Sequence, residues 1–279
     1  MLQVEGLSKA YSGGFRLSDV SFSLESGYIL GFIGRNGAGK TTTIKSIMNL
    51  VRPDAGKVTI FGKDMYNNET ELKQRIGFTV GAADFYPHAR ISKLTKVYKR
   101  FYETWDDAVY RDCLKRFHLD ENKKVCELSA GMKVKLGVTY ALSHGAELFI
   151  FDEPTSGLDP VARDELLDLF RDLVSDGDKS ILFSTHVTSD LDKCADYILF
   201  IADGKIVAFD TKDDLLDRHA LVHGDKKQLE ALKDRLIGYK ENAFGFSGMI
   251  LREHLPDGMA AERPDLQDLM VYYNKEGEI

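Results

Sequence analysis

Cysteine, proline and tryptophan are scarce in this chain: three, six and one among 279 residues. The cysteines, Cys113, Cys126 and Cys194, are widely spaced and odd in number, with no CxxC or Cys/His cluster. That excludes a disulfide framework and a zinc module, and leaves buried structural thiols in a reducing compartment as the expectation. Long apolar runs are absent as well. Nothing approaches the ~18–20 residues needed to span a bilayer, and the opening MLQVEGLSKAY has no apolar signal core. Work at a membrane would therefore need another chain to do the spanning. Positive charge is also short: 37 Lys and Arg against 44 Asp and Glu leave a net charge of −7, which argues against a nucleic-acid-binding surface.

What is present is an ordinary globular composition, 43% hydrophobic and 29% charged, on a chain long enough for a large core. LQVEGLSKAY and LSDVSFSLESG alternate weakly and read as antiparallel strands. YILGFIG (28–34), ELFIFDEP (147–154) and SILFSTH (180–186) read as buried parallel strands. Helical stripes lie between them: Ile44, Ile47, Met48 and Val51, and the segment ARDELLDLFRDLV. DYILFIADGKIVAFD reads as a hairpin turning at Asp203-Gly204. Strands alternating with helices imply an α/β fold around a mostly parallel sheet. A mainly helical block at about 85–146 interrupts it, with Leu94, Val97, Tyr98, Phe101 and Tyr102 on one stripe and Leu114, Phe117 and Leu119 continuing the pattern. After about Asp210 the pattern changes. Leu229, Leu232, Leu236 and Ile237 share a helical face, and Pro264 marks a second helix start, so residues 212–279 read as a small accessory C-terminal domain.

GRNGAGKT (34–41) fits G-x-x-x-x-G-K-[ST] and lies between a buried strand and a helix, as a phosphate loop requires. Gly34, Gly37 and Gly39 allow the backbone to turn N–H groups onto phosphate oxygens, and the helix that follows adds its positive end. Lys40 supplies a point charge for the terminal phosphates, and Thr41 a hydroxyl for Mg²⁺. Asp152 and Glu153 end a buried strand at the sheet edge where ligands gather. Asp152 can hold the Mg²⁺ shell, and Glu153 can polarise an attacking water. His186 ends a second buried strand and converges on the same edge, where a γ-phosphate contact is expected.

These segments, with LSAGM (128–132) between them, resemble the nucleotide-binding subunit of ATP-binding cassette (ABC) transporters over roughly residues 1–211. The resemblance rests on GRNGAGKTT (34–42), LSAGM, LFIFDEPTSGLD (148–159) and FSTH (183–186), in that order. It implies a P-loop NTPase (RecA-like) core with an antiparallel β subdomain and an inserted helical subdomain. It also implies roles. Tyr11 matches the aromatic that stacks on adenine. Gly34, Asn36, Gly37, Ala38, Gly39, Lys40, Thr41 and Thr42 lie in the phosphate-binding Walker A segment. Asp152 matches the Walker B acid and Glu153 the catalytic glutamate. Ser156 to Asp159 match the D-loop, which addresses a second protomer, and His186 matches the switch histidine. Ser129 and Gly131 match the signature residues that bind the γ-phosphate of ATP held by the partner subunit.

The implied protein hydrolyses ATP with Mg²⁺. It closes as a homodimer or heterodimer on ATP and drives a separately encoded membrane-spanning permease from the inner face of the cell membrane. The aromatic-rich stretch DFYPHARISKLTKVYKRFYETW is the expected docking surface. YP (86–87), WDD (105–107) and STHVTSDL look most like export-type ATPases of the bacitracin-exporter and GntR-linked kind. Two departures stand out. The usual LSGGQ has become LSAGM, with Ala130 and Met132 in place of Gly and Gln, while Ser129 and Gly131 remain. The family's Q-loop glutamine falls on Gly81, for which Asp84 or a water is the expected substitute. That second departure keeps open a soluble regulatory ABC ATPase with weak hydrolysis. ABC proteins that act on nucleic acid or ribosomes fit less well, because this chain has a single cassette, no heptad run and an acidic balance.

Overall fold

The apolar runs become strands with no exposed residue, and their order along the chain sets the architecture. A computed structural model describes residues 1–80, 86–243 and 245–274. β1 (Leu2–Ala10) and β2 (Arg16–Leu24) pair antiparallel. β3 (Ile29–Ile33) is wholly buried and leads through a glycine-rich loop into α1 (Lys40–Ile47). β4 (Ala55–Ile60) and β5 (Lys63–Asp64) complete an antiparallel sheet in the order β2-β1-β4-β5. After α2 (Glu69–Lys73) comes β6 (Ile76–Val80).

Three helices then intervene: α3 (Ile91–Tyr98), α4 (Asp107–Arg116) and α5 (Ala130–Ser143). The chain returns to the main sheet through β7 (Leu148–Asp152), α6 (Pro160–Val174), β8 (Ser180–Thr185), α7 (Thr188–Cys194), β9 (Tyr197–Ala202) and β10 (Lys205–Thr211). The six-stranded order is β10-β9-β3-β8-β7-β6. The pairs from β9 to β6 are parallel, and β10 is an antiparallel edge. Asp203 and Gly204 turn the β9–β10 hairpin with φ of 45° and 75°, the two positive values a tight I′ turn needs.

Strand period two explains how one sheet serves two cores. Phe149, Phe151, Ile181 and Phe183 face a cluster with Phe170 of α6 and Tyr140 of α5. Leu30, Phe32, Ile150 and Leu182 face the opposite cluster, with Ile44 and Ile47 of α1 and Leu2 and Val4 of β1. Burying each phenylalanine stabilises the fold by roughly 1.5–3 kcal/mol, and the Phe151 and Phe170 rings stack at 5.1 Å.

The helical block departs from its expected stripe. α3 ends at Tyr98, so Phe101 and Tyr102 lie beyond it. The inward face is Ile91, Thr95 and Tyr98, while Val97 and Phe101 are exposed. The reason is a hydrogen-bonded centre that the apolar pattern does not show. Thr95 Oγ1 lies 2.8 Å from the Tyr110 hydroxyl and 3.1 Å from that of Tyr140, and burial pushes the Tyr110 phenol up to about 12. Tyr102 instead stacks on His144 at 3.9 Å.

The C-terminal region differs most from expectation. It contains α8 (Lys212–Arg218), β11 (His219–Gly224), α9 (Lys226–Leu232), β12 (Leu236–Asn242), β13 (Gly245–Leu251), β14 (Ala261–Glu262) and α10 (Leu266–Tyr273). The strands form a sheet in the order β12-β13-β11-β14. Leu229 and Leu232 are buried on α9 as expected, but Leu236 and Ile237 belong to β12. Asp265, rather than Pro264, caps α10, accepting from the Asp268 N–H at 2.7 Å. α10 then packs back toward β9, with the Tyr273 ring 5.3 Å from Phe200. Cys113 and Cys194 are buried, but Cys126 is exposed, because it sits in the turn before α5 rather than on a packed face.

Candidate active site

Register brings the polar residues together. Ile33 pairs with Thr185, and Asp152 pairs with Ser184. The loop after β3, the acids ending β7 and the histidine after β8 therefore leave the sheet at one carboxyl edge, where open α/β sheets place ligands.

The loop is shaped by close approach. A Cβ on Gly34 would lie 2.4 Å from the Ile201 carbonyl oxygen, so only glycine fits. Gly39 has φ of 119°, a conformation other residues rarely adopt. Lys40 is buried, and its Nζ donates to the carbonyls of Gly34 at 2.6 Å and Arg35 at 3.3 Å. The same Nζ stands 3.1 Å from Glu153 Oε1. A cavity of about 440 Å³ opens here, lined by Phe15, Arg35, Asn36, Gly37, Gly39, Lys40, Thr41, Thr42 and Glu153. Gly34 and Ala38 belong to the same loop without lining the cavity: the Ala38 N–H donates to the Arg35 carbonyl, and its own carbonyl accepts from the Gly204 N–H.

Ser184 joins the two acids. Its fully buried hydroxyl donates to Asp152 Oδ1 at 2.6 Å and accepts the Glu153 N–H at 2.8 Å. Glu153 has φ of 51°, a left-handed conformation that costs a non-glycine residue about 1–3 kcal/mol. That turn aims its carboxylate back over the loop. Glu153 Oε2 faces His186 Nδ1 at 2.8 Å. Lys40, Glu153 and His186 thus form one connected line.

The other expected residues lie apart from the cavity. Ser129 is exposed and caps α5, accepting the Met132 N–H at 3.2 Å. Gly131 is buried, and a Cβ there would stand 3.4 Å from both Leu158 and Ala162. Asp159 caps α6 through the Val161 and Ala162 N–H groups, each at 3.0 Å. The LSAGM turn and the 156–159 segment are therefore neighbours, and neither lines the phosphate cavity of its own chain. Tyr11 is 41% exposed, with its ring 6.3 Å from that of Phe15. Phe15 was not foreseen as a lining residue; its signal was an aromatic in the same YSGGF turn. Ser184 was also missed, although a serine inside an otherwise apolar strand was visible; Arg35 lies within the 34–42 segment already singled out. Gly81 and Asp84 lie outside the described residues.

For a metal ion, the available donors are the Thr41 hydroxyl and the Asp152 carboxylate. No cluster of three or more His, Cys, Asp or Glu suited to a metal occurs among the described residues. The Thr41 hydroxyl lines the cavity and Asp152 ends the strand beside it, and both are hard oxygen donors of the type Mg²⁺ takes.

The chain matches the family described as ABC transporter over residues 17–156. It is 33% identical over 209 residues to the bacitracin transport ATP-binding protein BcrA of Bacillus licheniformis, covering 74% of this chain and 68% of that protein. It is 32% identical over 219 residues to the ABC transporter ATP-binding protein YtrB of Bacillus subtilis, covering 78% and 75%. A carnitine transport ATP-binding protein, OpuCA of Listeria monocytogenes, is 34% identical over 224 residues, covering 77% of this chain and 56% of that one. Among solved structures, an ATP-binding subunit of an ABC transporter superposes with a TM-score of 0.69 at 28% identity, covering 77% of this chain and 91% of the other. The ATP-binding cassette MJ0796, in a dimeric post-hydrolysis state, shares the fold with a TM-score of 0.67 at 21% identity, over 76% of this chain and 98% of that one.

With that site on the P-loop NTPase fold, the chain belongs to the ATP-binding subunits of ABC transporters. It is an ATPase of that family. No described helix is long and apolar enough to cross a membrane.

Proposed function

We propose that this chain hydrolyses Mg²⁺–ATP at a site shared between two subunits and so drives an exporter. In this reading residues 1–211 form the ATPase and 212–279 an accessory domain. The observation that carries it is the separation of the site into two parts. Lys40 and Glu153 line one cavity and His186 is held on Glu153, while Ser129 and Gly131, the residues expected to meet a γ-phosphate, do not line it.

Glycine N–H groups of the loop and Lys40 hold the β- and γ-phosphates, and Tyr11 with Phe15 provides an aromatic edge for adenine. Thr41 and Asp152 hold the cation, which when bound neutralises charge on the β- and γ-phosphates. Glu153 orients the attacking water, and His186 contacts the γ-phosphate. Ser129 and Gly131 of a second subunit close over the same phosphate, and Asp159 lies at that seam. ATP then favours the closed dimer because it adds contacts that the open form lacks, and hydrolysis removes them.

The partner is a separately encoded membrane-spanning permease, met at the inner face of the membrane by the helical block. Exposed Tyr86, Val97 and Phe101 are that block's apolar surface. The relatives include a bacitracin transport protein and a carnitine transport protein; export is favoured by the YP, WDD and STHVTSDL segments.

Mixing two inactive variants tests the shared site. Lys40→Ala and Ser129→Arg are each expected to be inactive. An equimolar mixture is expected to recover hydrolysis, because the mixed dimer holds one site with both residues intact. A mixture as inactive as its components would overturn the shared-site reading. Failure of the unaltered chain to turn over ATP would favour the regulatory alternative.

A further inference from the structure

Next to the site lies a buried carboxyl group with no role in the chemistry above. Asp190 of α7 is 0% exposed. Its Oδ2 accepts two hydrogen bonds, from Thr155 Oγ1 at 2.7 Å and from Thr185 Oγ1 at 3.1 Å. Thr155 sits in the segment between Glu153 and the cap of α6. Thr185 ends β8, one residue before His186. Thr185 Oγ1 also accepts the Val187 N–H at 3.0 Å, so the residues on both sides of His186 are held by one hydroxyl that itself leans on Asp190.

The other oxygen is unsatisfied. Asp190 Oδ1 is buried without a hydrogen bond, and Arg163 Nε of α6, 3.8 Å away, is buried without one too. That distance is too long for a hydrogen bond and within about 1 Å of a good one. Leaving two such groups apart is costly, so a small shift of α6 against α7 would be favoured by their closure.

We propose that Asp190 is a positioning residue: it locks the 153–159 segment to His186, and the Arg163–Asp190 contact tightens that joint when α6 and α7 move together. The proposal rests on the reading of His186 as a γ-phosphate contact. The ends of β7 and β8, already paired at Asp152 and Ser184, meet a second time at this carboxyl group, so a displacement of the 156–159 segment by a second subunit would reach His186 without crossing the nucleotide cavity.

Kinetics of the purified full chain test this, with Thr155→Val, Asp190→Asn and His186→Ala compared singly and in pairs. Thr155→Val and Asp190→Asn are each expected to lower kcat about tenfold, through misplacement of a catalytic contact. Half-saturating ATP should stay within about twofold, since the nucleotide-lining residues are untouched. The melting temperature should change by no more than about 4 °C. The decisive reading is coupling: in a His186→Ala background, Thr155→Val and Asp190→Asn should cost no further rate. A merely structural role would lower stability and multiply with His186→Ala. Unchanged kcat in both variants, or losses that multiply, would overturn the proposal. Should Asp190→Asn fail to fold, the isosteric Thr155→Val carries the same cycle. If His186→Ala itself leaves kcat unchanged, the underlying reading of His186 fails, and the joint with it.

Discussion

Lys40 Nζ lies 3.1 Å from Glu153 Oε1, joining the cation of the phosphate loop to the carboxylate at the end of β7. In the proposed mechanism both groups are wanted elsewhere: Lys40 by phosphate oxygens and Glu153 by water. ATP binding must therefore exchange one anion for another around Lys40. Lys40 keeps 5% and Glu153 21% of side-chain exposure, so the attraction within the pair is largely offset by the cost of taking both charges out of water. Replacing Glu153 with Gln should remove the competitor and tighten ATP binding by about three- to tenfold. Equilibrium titration with ATP in EDTA, where turnover is blocked, measures this. Equal or weaker affinity would contradict the exchange.

Ser184 holds the strained turn at Glu153. Its hydroxyl satisfies the Glu153 N–H and one oxygen of Asp152 in a fully buried position. Ser184→Ala leaves both without that partner, so an unfolding free energy lower by about 1–3 kcal/mol is expected. Urea denaturation checks it. A loss below about 0.5 kcal/mol would show that the turn is held by other contacts.

The two aromatics of the YSGGF turn should separate by ligand. Phe15 packs against the loop, within 3.2 Å of a Cβ placed on Gly39, whereas Tyr11 is exposed. Tyr11→Ala should weaken ATP binding about fivefold, the value of a stacking contact, and leave inorganic triphosphate binding unchanged. Phe15→Ala should weaken both, because it loosens the loop. Competitive titration with the two ligands distinguishes them, and equal effects of Tyr11→Ala on both would remove its adenine role.

Two buried histidines give the fold an acid limit. Burial holds His144 and His219 below their ordinary 6.5. His219 Nδ1 donates to the Leu215 carbonyl, and its Nε2 accepts from the Tyr273 hydroxyl, both at 2.7 Å. The unfolded chain takes up protons near the ordinary value and the native rings do so only lower. Their contribution is therefore complete above 6.5 and is lost as pH falls from there toward the native values. The urea midpoint should drop between about pH 7.5 and about pH 5.5, with a shallower drop in His144→Gln. A flat profile would show that the rings are not buried as described.

Much of this was legible in the sequence because the determinants are local. A phosphate loop needs its glycines and lysine consecutively, and a buried parallel strand needs an unbroken apolar run, as in ILGFI and LFIFD. The C-terminal sheet was not legible. In β12 the run LIGYKEN starts with Leu236 and Ile237 at helical spacing from Leu229 and Leu232, and Gly238, Lys240 and Glu241 dilute any alternation. Its strands are specified by pairing across the sheet, β12 with β13 and β13 with β11, which no local pattern reports. The α3 stripe was misplaced for a related reason: the centre it faces is built from hydroxyls of Thr95, Tyr110 and Tyr140, and apolar periodicity does not count them. Ser184 and Asp190 stood in plain view, but each role needs a partner far along the chain, 32 residues away for Ser184 and 35 for Asp190.

The most direct test of the account is steady-state hydrolysis by the Glu153→Gln chain, followed by size-exclusion chromatography with Mg²⁺–ATP. If Glu153 orients the attacking water, turnover should fall by about a thousandfold, and the intact nucleotide should hold the protein as a dimer. Full hydrolysis in the variant, or a monomer at saturating ATP, would contradict it.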